Sequence, residues 1–240
     1  KSSLSQFVAQ QLQAANIPAY WLEEHTLNSE LFAAFFDALN TKPEEAVTAL
    51  LAGWRQVVER LQITSDVCCF DGAFFHSTLK LLLAYDYDQA RVAFYLAELY
   101  DLLAPFSPAL ILLTGDVAHI MRLTIAERGA PWATHVADGV AQYPCQQRLG
   151  RGSVDDMIAF FIESQRQLDA IAATCPFVHK RIDTTARDWQ QYQHAVCEWL
   201  NIPIRAVARP LLGVFAQYVG TYQPPGYFPP AFNHPFQVEQ

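Results

Sequence analysis

Two short runs of uninterrupted apolar residues constrain this chain more than any other feature. Val67-Cys68-Cys69-Phe70 is closed by Asp71-Gly72, and Pro108-Ala109-Leu110-Ile111-Leu112-Leu113 is followed by Thr114. Runs of this length without polar alternation suit strands covered on both faces, the situation of a parallel sheet flanked by helices. Parallel neighbours need long crossovers, usually helical, and the intervening segments supply them. Leu4, Phe7, Val8, Leu12 and Ala15 fall on one face of a helix over 3–15, which Asn16-Ile17-Pro18 ends. Further helices are expected over 31–39, 43–61, 77–83, 87–103, 117–128, 154–173 and 187–200, with additional strands at 19–22 and 177–182. Strand and helix thus alternate, and the expected fold is α/β, a parallel sheet with helices on both faces.

Composition agrees. The chain has 240 residues, 52% hydrophobic and 17% charged, enough for one large core and incompatible with wholesale disorder. A net charge of −8 argues against a nucleic-acid polymer or an anionic membrane as partner. No apolar run approaches the roughly 18 residues that cross a bilayer, and Lys1 to Phe7 lacks a signal-peptide core. Five cysteines without zinc or disulfide spacing suit a cytoplasmic protein. The chain starts at Lys1 without an initiator Met, which reads as a processed product or a piece of a longer sequence. Residues 1–202 are expected to form the main domain. From 203 to 240 the composition turns Pro- and aromatic-rich, as in Pro224-Pro225-Gly226-Tyr227-Phe228-Pro229-Pro230, an extension or incomplete small domain.

In such sheets ligands bind beyond the carboxyl ends of the strands. The polar residues expected there are Glu23 or Glu24, Asp71, Thr114 or Asp116, and Asp183 with Thr184. Lys1-Ser2-Ser3 opens a helix, either as a solvated N-cap or as the end of a phosphate-binding loop, where backbone N–H groups, a lysine and a metal-holding hydroxyl converge. Other residues are equally two-sided. Asp71-Gly72 is turn chemistry or a site. Phe74 and His76 belong to the core or touch a substrate. Arg122 and Arg128 decorate a surface helix or reach an anion, and Arg148 and Arg151 flank a glycine that lets backbone approach phosphate.

Taken in order, these motifs resemble the P-loop nucleoside and nucleotide kinases, the thymidylate-kinase-like group in particular, over roughly residues 1 to 200. Lys1-Ser2-Ser3 is similar to the end of the Walker A loop, and Leu22-Glu23-Glu24 to the acidic residue after the second strand. Phe70-Asp71-Gly72 matches the third strand's acidic end. Pro108 to Leu113 with Asp116 and Arg122 matches the fourth strand and the helix leading to a lid, and Arg181 to Thr185 the closing strand. The resemblance implies ATP and Mg²⁺ as cofactors, with the first strand and Gly-rich loop lying upstream of Lys1. It implies phosphate contacts from Lys1, Ser2 and Ser3, and metal held by Ser2 and Asp71. Glu24 or Asp71 would orient an acceptor hydroxyl. Arg122, Arg128, Arg148 and Arg151 would be lid arginines, Phe74 and His76 substrate neighbours, and Asp183 and Thr184 would lie near the adenine. The acceptor would be a small molecule, a nucleoside or nucleotide. Where the family carries Asp-Arg-Tyr or Glu-Arg-Ser, this chain has Asp71-Gly72-Ala73, so one arginine contact to substrate is missing. An ATPase or GTPase with a regulatory role, and a non-catalytic ligand- or protein-binding relative, are the alternatives; a homodimer stays open.

Overall fold

The computed structural model describes residues 2–22, 31–205, 221–222 and 236–237, with side chains over 4–22 and 31–205. Helix α1 (Ser2–Ala14) leads through a left-handed Asn16 into β1 (Ala19–Leu22). Two helices follow, α2 (Ala33–Thr41) and α3 (Ala46–Ile63), the latter opened by a 3₁₀ turn with Pro43, Glu44 and Glu45, where proline and acids favour a helix start. Strand β2 (Val67–Phe70) gives way to a π-helical turn, Phe75–Leu79, which continues into α4 (Lys80–Ala84). Then come α5 (Gln89–Leu103), capped by Asp88, and β3 (Ala109–Thr114). Four helices join β3 to β4 (Val178–Asp183): α6 (Val117–Arg128), α7 (Ala130–Ala141), α8 (Pro144–Arg148) and α9 (Val154–Ala172). Ser153 and Asp156 form a reciprocal capping box at the start of α9. Helix α10 (Trp189–Trp199) follows β4. In the C-terminal extension Thr221–Tyr222 and Phe236–Gln237 form a short antiparallel pair.

The sequence reading needs two corrections here. No helix was expected between 128 and 154, whereas Gly129 caps α6, Pro131 sits in the first turn of α7, and α8 follows. A proline there gives up only an N–H that has no helical partner anyway. The helix after β2 starts two residues earlier than the expected Ser77, as a π turn.

The strands make two parallel ribbons. β1 pairs with β2, Ala19 opposite Val67 through Leu22 opposite Phe70. β3 pairs with β4, Ala109 opposite Val178 through Thr114 opposite Asp183. Both ribbons share the same two flanking layers. Ala19, Cys69, Ile111, Leu113 and Ile182 pack with Leu4, Val8 and Leu12 of α1 and with Tyr192, Val196 and Cys197 of α10. Leu22, Phe70 and Leu110 face the opposite way, into the larger core built from α2 to α9 around Phe32, Phe35, Trp54, Tyr95, Leu99 and Met157. The fold is therefore α/β, mostly helical, with helices on both faces of the parallel strands.

The three crossovers that join β1 to β2, β2 to β3 and β3 to β4 all pack on the larger-core side. Right-handed crossovers over one side step the strands in one direction, which orders the layer β1-β2-β3-β4. Hydrogen bonds join β1 to β2 and β3 to β4, so among the described residues a break falls between β2 and β3. Its imprint is on burial: Cys68 to Phe70 and Leu110 to Leu113 stay only half-buried, although parallel strands under two helical layers are normally enclosed.

Candidate functional site

Asp71 is the first residue beyond β2. Its N–H donates to the Leu22 carbonyl at 3.1 Å, extending the ribbon by one residue and fixing the backbone. The side chain is 2% exposed, and Oδ2 has no hydrogen-bond partner among the described residues. Buried carboxylate oxygens are almost always paired, so an orphan marks a strained or functional position. The backbone then turns sharply at Gly72, whose φ of 66° favours glycine. The Gly72 carbonyl accepts from the N–H groups of both His76 and Ser77 at 3.0 Å, which winds the π turn. Single π turns interrupt helices frequently at functional sites.

A buried polar network holds that turn from behind. The Thr78 hydroxyl donates to the Ala73 carbonyl at 2.9 Å and lies 3.4 Å from the Tyr95 hydroxyl. Trp54 Nε1 donates to the same Tyr95 oxygen at 3.0 Å. Phe70 and Phe74 flank the Trp54 ring at 6.2 and 6.3 Å. The backbone after Asp71 is thus anchored to α3 and α5, while Oδ2 of its carboxylate has no partner among the described residues.

The ends of β3 and β4 are laced together. Both the N–H and the hydroxyl of Thr184 donate to the Thr114 carbonyl at 2.8 Å. Asp183 Oδ1 accepts from the Thr185 N–H, and the Thr185 hydroxyl accepts from the Asp116 N–H, each at 2.8 Å. The Thr185 hydroxyl and backbone hold the Asp183 carboxyl below the usual carboxylate range. The expected adenine neighbours are therefore tied into the rim itself, Asp183 through Thr185 and Thr184 through Thr114. Beside this latch, an open groove of about 320 Å³ runs between the start of α6, at Gly115 and Asp116, and Ile162, Gln165 and Arg166 of α9. A smaller apolar cleft of about 110 Å³ lies behind Leu22 and Phe70, against Leu31 and Val57.

The expected lid arginines are dispersed over several helices. Arg122 is exposed on α6. Arg128 lies over the Trp132 ring at 5.1 Å. Arg148 makes a bidentate contact with Asp86 at 2.9 and 2.7 Å, and Arg151 is 4.0 Å from Asp156. Of the expected substrate neighbours, Phe74 packs among Phe75, Tyr100, Phe177 and Trp54, whereas His76 is exposed on the π turn. Lys1, Glu23 and Glu24 lie outside the described residues, as do the side chains of Ser2 and Ser3, although both serines form the first turn of α1.

Nucleophilic thiol chemistry finds no support at this rim. Burial pushes the Cys68 thiol up to about 12 and the Cys69 thiol to about 11, so both stay protonated near neutral pH. Among the described residues no three His, Cys, Asp or Glu converge as a metal cage, and no helix is long and apolar enough to cross a membrane. Comparison with protein-family models, with curated proteins and with solved structures finds no match to this chain.

Proposed function

We propose that this protein catalyses ATP-dependent phosphoryl transfer to a small-molecule acceptor, a nucleoside or nucleotide, on a P-loop kinase-like fold. The observation that carries the reading is Asp71: a buried carboxylate with an unpartnered oxygen, at a strand's carboxyl end, beside the break in the parallel layer. α1 lies on the face opposite the other crossovers. A strand leading into α1 and on to β1 by a right-handed crossover therefore belongs on the β2 side of β1, in the break between β2 and β3. Its loop into Ser2 would then meet Asp71 and Gly115 where the winding direction reverses, the position at which open α/β sheets bind ligands.

The chemistry asks for residues of these kinds. Phosphoryl transfer depends on positioning and charge neutralisation more than on covalent help from the protein. In this reading Lys1 and the first N–H groups of α1 bind phosphate oxygens. Mg²⁺ would be held by Ser2, with Asp71 in its outer shell, and when bound would neutralise the phosphates. Mg²⁺ is commonly held by one or two carboxylates plus substrate phosphates and water rather than by a full protein cage. The orphaned Oδ2 of Asp71 fits that outer-shell role, and Glu24 or Asp71 would orient the acceptor hydroxyl. Arg128, Arg148 and Arg151 would leave Trp132, Asp86 and Asp156 to reach migrating charge, so closure would exchange those contacts for phosphate, while Arg122 on the helix after β3 is exposed. Localisation in the cytoplasm accords with free thiols and a nucleotide substrate.

The test is ADP release by the full-length protein, with Mg·ATP, in the presence and absence of a panel of nucleosides and nucleotides. Release that requires an acceptor supports the kinase. Release without one indicates a hydrolase, and failure to bind Mg·ATP at all overturns the reading.

A further inference from the structure

Strand β4 pairs with β3 along one side, from Val178 to Asp183 in unbroken register. The Thr184 N–H donates to the Thr114 carbonyl at 2.8 Å, and the Ile182 carbonyl accepts from the Thr114 hydroxyl at 3.3 Å. The backbone groups of the even-numbered residues therefore face β3. Orientation alternates along a strand, so the N–H and C=O groups of His179, Arg181 and Asp183 face the outer edge, where no further strand pairs with them among the described residues. That edge is open to solvent: Val178 is 64% exposed, and His179, Arg181 and Asp183 are exposed as well. Such an edge is a template for strand addition, which proteins ordinarily blunt with a bulge, a proline, a very short strand or charge. No bulge or proline interrupts β4, and the charge is of one sign at its middle, His179-Lys180-Arg181, in a chain of net charge −8. Arg181 is engaged by Asp169 at 2.9 Å, and the His179 ring lies 3.1 Å from the Phe177 carbonyl. Lys180 is half-buried and has no carboxylate within ion-pair distance among the described residues.

We propose that the outer edge of β4 binds an extended acidic segment of a partner protein, which adds to the β3–β4 ribbon as a further strand. Main-chain hydrogen bonds to His179 and Arg181 would hold the segment, and side chains would select it. Charge decides the occupant. Like charges directly opposite one another destabilise a strand pair, so Lys180 and Arg181 reject a second β4 and favour carboxylates. Arg181 is already neutralised by Asp169, which leaves Lys180 as the cation that gains most from a partner. The two ends of the strand set the pattern around it. Val178 asks for an aliphatic residue opposite, and Asp183, whose carboxylate is tied to the Thr185 N–H, excludes an acid at the carboxyl end. The edge is remote from Asp71 in the layer, with β3 and the break between them, so this inference stands apart from the phosphoryl-transfer reading.

Fluorescence anisotropy of a labelled short peptide of alternating Val and Glu, titrated with the full-length protein, tests it. The expected result is saturable binding that Lys180→Glu weakens by about tenfold or more, while the same variant gains affinity for a peptide of alternating Val and Lys. Two further peptides carry N-methyl groups on alternate amides. The set that faces β4 should abolish binding and the other set should leave it intact. His179→Pro removes an outward N–H and leaves the ladder to β3 in place, so it should also abolish binding with the circular-dichroism melt retained. Lys180→Glu leaves the backbone untouched and keeps the test decisive where the proline variant fails to fold. Absence of binding to the Val–Glu peptide, binding indifferent to Lys180→Glu, or equal binding of both methylated peptides would each overturn the proposal. So would equally tight binding of an oligothymidylate, which would show charge attraction without strand addition.

Discussion

Replacing Asp71 by Asn should stabilise the protein while impairing its use of Mg·ATP. Asp71 is 2% exposed and its Oδ2 has no partner among the described residues. A buried polar group left unpaired costs about 1–3 kcal/mol, and more when it is charged. Asn keeps the shape and the backbone turn, and its amide still lacks a partner, so only the excess due to charge is recovered, roughly 1–2 kcal/mol. For a chain of this size 1 kcal/mol moves Tm by about 2–4 °C. The expected shift is therefore a rise of about 2–8 °C, read by circular dichroism or calorimetry without nucleotide. On the proposed outer-shell role of Asp71, the same variant should show a steeper Mg²⁺ requirement, because a charge would have left the metal's surroundings. Functional positions trade stability for chemistry in this way. A fall in Tm would mean that the carboxylate is held by a partner and serves the turn after β2. The argument for a site at Asp71 would then be lost.

Three further outcomes probe the scaffold. Gly53→Ala should destabilise by about 1–3 kcal/mol in urea unfolding, because its Cβ would stand 2.5 Å from the Phe32 ring and 2.6 Å from the Leu31 carbonyl; an unchanged midpoint would mean that α2 can move away from α3. Tyr95→Phe should cost about 1–3 kcal/mol, since Trp54 Nε1 loses its acceptor, and hydrogen exchange at the His76 and Ser77 amides should quicken as the π turn loosens. Glu163 is held down to about 2 by its bond to Arg166 and then by Gln167. Its folded value is depressed, so its contribution is present above the unfolded value of about 4.3 and fades as pH falls toward about 2. Glu163→Gln should flatten that part of the acid melt by no more than the ~0–1 kcal/mol of a surface pair.

Much of the scaffold was legible because its signals are local. Unbroken apolar runs gave β2 and β3, and Pro18 marked the end of α1, whereas the caps at Asp88 and Asp116 emerge only from the structure. The helix α7 was missed because Gly-Ala-Pro reads as a stop, although proline is equally at home one turn into a new helix. The engagements of the arginines were hidden for another reason. Arg148 meets Asp86 across 62 residues, and Arg187 meets Glu127 across 60, distances over which no spacing rule operates. Asp71-Gly72 could be singled out as a strand end, but its burial and missing partner are properties of packing, and those decide between a turn and a site. The lacing of Thr184 to Thr114 likewise depends on the β3–β4 register. The residues with the strongest motif, Lys1 to Ser3, are those whose side chains lie outside the described residues.

The central claim is that this rim transfers phosphoryl groups, and its most direct measurement is passage of label from γ-labelled ATP to added nucleosides or nucleotides by the full-length protein. The account predicts a labelled acceptor that appears only with Mg²⁺, and a loss of about 10²–10³-fold in turnover for Lys1→Ala, the scale of one preorganised electrostatic contact. An acceptor that stays unlabelled across the panel, or a Lys1→Ala variant that transfers label at the wild-type rate, would contradict it.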